Sequence, residues 1–99
     1  MGLVACGDGG DESPPDDGAR ATAEAKHALA AAKNSGADLS AGPCISESLP
    51  GLPDWVADVA HDPRRPVDED PANQCRRYRD GEAHHFVELN QQGVVLTVA

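Results

Sequence analysis

Three cysteines and four histidines are the side chains best suited to chemistry in this 99-residue chain: Cys6, Cys44 and Cys75, with His27, His61, His84 and His85. Cys44 and Cys75 lie 31 residues apart. A redox pair usually has the close Cys-x-x-Cys spacing, so outside the cytoplasm this pair reads as a structural disulfide, with free thiols as the alternative. Closing that loop restricts the unfolded chain by roughly 3–4 kcal/mol on the chain-entropy model. The pairing leaves Cys6 as the odd cysteine, with a separate fate. His61 and one of His84 or His85 can meet across a sheet, with Asp58 or Asp62 adding oxygen, as a zinc or copper set. His84 and His85 are neighbours in an expected strand, where successive side chains diverge. Solvated or sheet-packed histidines are the plainer reading. Cys44, His61 and Asp58 can be written as a nucleophilic triad, but a disulfide partner for Cys44 removes the nucleophile.

Asp68, Glu69, Asp70 and Asn73 are rich in oxygen. The calcium loop of an EF-hand needs glycine at its sixth position, where this chain has Asn73, so a solvated acidic loop is expected. Arg64-Arg65 and Arg76-Arg77-Arg79 flank that loop. Internal ion pairing is their first reading, and a site for an anionic ligand the second. Gly-x-Ser-x-Gly, His-Glu-x-x-His and a phosphate-binding glycine loop are all missing from the sequence. No catalytic residue and no cofactor are therefore expected.

The elements that carry these residues can be read from pattern. Residues 19–36 are Ala-rich without an internal proline, which favours a helix. Asp16 or Asp17 can cap its start, Lys33 suits its negative end and Gly36 its C-terminal cap. Its one large apolar residue is Leu29, so it is expected to pack loosely or to stand as a stalk. A short strand is expected around residues 44–46. In residues 54–61, Trp55, Ala57, Val59 and His61 share one face of a strand. Residues 62–73 hold three prolines and four acids and read as an exposed loop. Residues 83–89 and 94–98 flank Asn90-Gln91-Gln92-Gly93, a pattern that suits a type I turn followed by a left-handed glycine bulge. Phe86 and Val87 point to opposite faces, as do Val94 and Val95, so this hairpin is covered partly on each side. The fold expected is α+β: one N-terminal Ala-rich helix, then a small antiparallel β-sheet ending in a C-terminal hairpin. Residues 37–99 form the small disulfide-closed domain.

The chain carries 17 acids against 8 Lys and Arg, a formal charge of −9. Phosphate backbones repel such a chain, so no nucleic-acid partner is expected. Residues 7–18 contain no large apolar side chain and several acids, and read as a disordered acidic tether. The longest apolar run, residues 28–32, is far short of the roughly 20 needed to span a bilayer.

Ahead of that stretch stands Leu3-Val4-Ala5-Cys6, which resembles the lipobox of bacterial lipoproteins. The Gly/Asp/Pro-rich residues that follow resemble the tether of a mature lipoprotein. The resemblance covers roughly the first 18 residues. It implies lipidation of Cys6, an anchor in the membrane and a place in the bacterial cell envelope, on the extracytoplasmic side. Residues 1–6 are then the remnant of the signal and lipobox. Only five residues precede Cys6 and none is Lys or Arg, so the basic and apolar parts of the signal peptide are expected from an earlier start. The function expected is that of a non-enzymatic lipid-anchored envelope module. It would bind a protein or surface component, with an unpaired sheet edge as one means of holding it. The alternative is a metal- or small-ligand-binding lipoprotein using His61, His84 and His85.

Overall fold

The computed structural model describes residues 14–99. Helix α1 runs Pro14–Asn34. It starts five residues earlier than expected, because prolines fit a first turn, whose amides are unpaired in any case. Residues 14–18, read from sequence as tether, therefore belong to the helix. Residues 7–13 of that tether and Cys6 lie outside the described residues. At the other end Gly36, at φ +79°, closes the helix. Its amide donates to the Lys33 carbonyl and the Ala37 amide to the Ala32 carbonyl, the paired bonds of a Schellman motif.

The helix is not a stalk. Ala21, Ala25 and Leu29 recur at spacing four, and all three are buried against the sheet. Two alanines let the helix approach closely, and Leu29 fills the space left between helix and sheet.

Four strands follow: β1 Cys44–Ser46, β2 Trp55–Val59, β3 His85–Leu89 and β4 Val95–Val98. They lie side by side in sequence order. The fold is α+β as expected, but the sheet is mixed. β1 pairs antiparallel to β2, and β3 antiparallel to β4, whereas the central pair β2 and β3 is parallel, with Trp55 opposite His85 and Val59 opposite Leu89. A parallel pair needs a crossover of a dozen or more residues, and residues 60–84 supply it. They are not a plain loop. They contain 3₁₀ turns at Pro66–Glu69 and Pro71–Asn73 and a short helix, α2, at Arg76–Arg79.

The sheet is thus covered on both sides. Trp55, Ala57 and Val59 with Val87 and Leu89 face α1, joined by Leu39, Leu49 and Leu52. Val56 and Phe86 face the crossover, with Ala83 and the disulfide. The C-terminal hairpin turns as expected. Gly93 sits at φ +89°, and the Asn90 side chain accepts from the amides of Gln92 and Val94.

Candidate functional site

Alternation along the two parallel strands decides what the crossover face carries. Val56 and Phe86 form an apolar floor. Two residues further on, Asp58 and Glu88 stand in register on the same face. Two carboxylates thus sit on neighbouring strands about 4.8 Å apart. Above them the crossover leaves an open cleft of about 220 Å³. Arg64, Gln74, Cys75, Tyr78 and Arg79 complete its lining.

The disulfide holds part of this lining in place. Cys44, at the start of β1, is bonded to Cys75, the residue before α2. Glu47, just after β1, caps α2: its carboxylate accepts from the amides of Arg76 and Arg77, each at 2.9 Å. Arg77 donates in return to the carbonyls of Glu47 and Pro53. α2 then presents Tyr78, whose ring meets Phe86 edge-on with centroids 5.0 Å apart.

The two carboxylates are treated differently. Glu88 is 8% exposed and accepts from Arg64 Nη1 at 2.7 Å. Arg64 also bonds Glu69 through Nε. Asp58 has no such partner, and its Oδ1 is buried without a hydrogen bond. Burial pushes the Asp58 carboxyl up to about 7. The Glu88 charge beside it adds to this, Arg64 opposes it, and Asp68 raises it slightly. Asp58 therefore exchanges a proton near neutral pH, in a cleft with an apolar floor. Glu88 is committed to Arg64, which leaves Asp58 as the proton-exchanging carboxyl of the cleft.

The other residues singled out in the sequence are distributed elsewhere. His84 and His85 gather round Asp54 instead of diverging, because His84 precedes β3 and escapes its alternation. His84 Nδ1 lies 2.7 Å from Asp54 Oδ1, and His85 Nε2 3.6 Å from Asp54 Oδ2. The His84 bond holds Asp54 below the usual carboxylate range, against an upward push from desolvation. His85 also stacks on Trp55 at 4.7 Å. His61 lies past the far end of β2, about 20 Å away at 3.3 Å per residue, and its Nδ1 is 2.9 Å from Asp68 Oδ1. The structure does not bring His61 to the His84–His85 pair. Among the described residues, three ligand-type side chains converge within 4.8 Å at Cys44, Glu47 and Cys75, where the disulfide already occupies both sulfurs. His27 is exposed on α1 beside Glu24.

The acidic loop is spent internally. Asp68, 4% exposed, accepts from the amides of His61 and Arg65. Asp70 accepts from the Ala72 amide, and Asn73 donates to the Val67 carbonyl. Arg76 and Arg77 pair with Asp80 and Glu82. Internal ion pairing is thus the rule for Arg64, Arg76 and Arg77; Arg65 and Arg79 make no ion pair among the described residues.

Sequence reading did not pick out Asp58 and Glu88 as a pair. The signal was present: each is a carboxylate inside a run otherwise apolar on both faces, WVADV and FVEL. Ionised side chains are rarely buried without a partner, which makes such positions candidates for function. No protein-family model matches the chain, and no curated protein or solved structure does. No helix of the described residues is long and apolar enough to cross a membrane.

Proposed function

We propose that this chain is a non-enzymatic envelope module, lipid-anchored through Cys6 on the extracytoplasmic side of a bacterial membrane, that holds a protein or surface component at the Asp58 cleft. One observation carries the reading. With Cys44 bonded to Cys75, Cys6 alone of the three cysteines is left for another role, and it stands directly behind Leu3-Val4-Ala5. Disulfides persist in oxidising compartments outside the cytoplasm, where lipoproteins are delivered. A single acyl chain holds a protein only marginally, so the anchor is taken to be a diacyl one. Binding is favoured over turnover because Glu88 is tied to Arg64, leaving one proton-exchanging group in the cleft.

The test is expression in a bacterial host with the upstream coding sequence included, followed by fractionation. The wild-type chain is expected in the membrane fraction, and Cys6→Ser in the soluble fraction. Identical soluble behaviour of both would overturn the anchor.

A further inference from the structure

Among the described residues, one buried side-chain oxygen lacks a hydrogen-bond partner: Oδ1 of Asp58. The groups packed around it explain why. From β3, Glu88 offers only acceptors. From the crossover, Arg64 donates to Glu88 and Glu69, and Asp68 turns to His61 and Arg65. From α2, Tyr78 lies edge-on to Phe86, and Arg79 lines the cleft but is exposed to solvent. The disulfide carries no charge. Among the described residues, no side chain is placed to donate to Asp58 Oδ1, and Asp58 lines an open cleft.

We propose that the cleft binds a primary ammonium group carried on a short apolar body, with Asp58 as the residue that receives it. The inference rests on the reading above that this cleft is where the module holds its ligand, and it names the ligand's chemistry. An ammonium brings three donors and no acceptor, which is what Asp58 requires beside a Glu88 already tied to Arg64. The terminal torsion of a carboxyl group is broad and two-fold, so a half turn exchanges the two oxygens of Asp58. The apolar body would lie on Val56 and Phe86, with the Tyr78 ring beside it. A cation near these rings gains further attraction from their faces. At about 220 Å³ the cleft has room for about seven water volumes of roughly 30 Å³ each, enough for a short alkyl chain and its head group. An anion is disfavoured by Asp58 and Glu88 together.

Proton and ammonium compete for the same carboxylate. The Asp58 carboxyl sits at about 7, so binding strengthens as pH rises. An alkylammonium, like lysine, stays charged to about pH 10. The ionised fraction of Asp58, and with it the affinity, rises about thirtyfold between about pH 5.5 and 8.

The experiment is an NMR titration of the full chain, disulfide intact, with n-butylamine, with Nα-acetyl-lysine methylamide, and with 1-butanol as the uncharged control. Saturable shifts at Val56, Asp58 and Phe86 are expected with an amine. Affinity should be at least about tenfold weaker for butanol and for the amine on Asp58→Asn. Equal binding of the lysine derivative and butylamine would identify a protein's lysine as the source. Binding of butylamine alone would identify a free amine. If Asp58→Asn does not fold, the pH dependence of the wild type decides. Butanol binding as tightly as butylamine, or affinity independent of pH, would overturn the ammonium assignment while leaving the cleft a ligand site. No saturable shift with any probe would count against both.

Discussion

Asp58 and Glu88 lie directly opposite each other on the parallel strands β2 and β3, and only Glu88 is given a cation. Two like charges in one buried position cannot both be relieved by a single arginine. The chain resolves the conflict by leaving Asp58 to carry a proton near neutral pH, and stability should follow that proton.

The Asp58 carboxyl is raised from 3.8 in the unfolded chain to about 7 in the fold. The folded state thus binds the proton more tightly, so the contribution is stabilising at low pH. It is lost as pH rises from about 4 to 7 and is constant above. Asp58→Asn removes this slope. Urea midpoints should show the variant more stable than wild type by about 1–3 kcal/mol at pH 8, with the difference shrinking toward pH 5. A wild-type slope that survives in the variant would assign the titration to another group.

Asp68 works in the opposite direction. Burial pushes its carboxyl up, but amide bonds from Arg65 and His61, with the His61 ring, outweigh this and hold it below 3.8. Its contribution is present above pH 4 and is lost on acidification. Gly42, at φ +69°, passes so close that an added Cβ would lie 2.5 Å from Asp68 Oδ1 and 2.9 Å from the Val59 carbonyl oxygen. Gly42→Ala therefore combines a left-handed backbone with a clash against main chain, and a loss of more than about 2 kcal/mol is expected at pH 7. Asp68→Ala, which orphans two amides, should cost about 2–4 kcal/mol. Thermal melts with unchanged midpoints would show that this corner relaxes freely.

Local patterns made the helix and the C-terminal hairpin legible: the Ala-rich run, Gly36 as a cap, and Asn90 with Gly93 at the turn. The direction of β2 against β3 was not legible, because it depends on how residues 60–84 return across the sheet, and no local motif encodes that path. The apolar residues on both faces of 83–89 did hint at a second covering layer. The helix was underestimated for a related reason. Ala21 and Ala25 look inert in a sequence, yet their smallness is what admits the close packing that buries Leu29. Strand pattern lets His61 meet His84 or His85 across a sheet, but the register of β2 and β3 sets them at opposite ends. The Asp58–Glu88 pair was readable one strand at a time, but its adjacency exists only through the parallel register.

The disulfide clamps the crossover to the edge strand β1. Cys75→Ser, or reduction, should lower stability by about 3–4 kcal/mol for a loop of this length. Peptide mapping without reductant should return Cys44 and Cys75 crosslinked. Free thiols at both positions in exported protein would contradict the structure.

Leu29 is the one large side chain that α1 sends into the core, at 4% exposure. Leu29→Ala should cost about 2–4 kcal/mol, read from urea midpoints. No change in midpoint would mean that the helix stands free of the sheet in solution.

The anchor at Cys6 is the claim on which the proposed role depends, and one measurement reaches it directly. Protein extracted from bacterial membranes should yield an N-terminal peptide that begins at Cys6, with a diacylglyceryl group on its sulfur. A peptide that runs through Ala5 into Cys6, uncut and with the thiol free, would contradict the account.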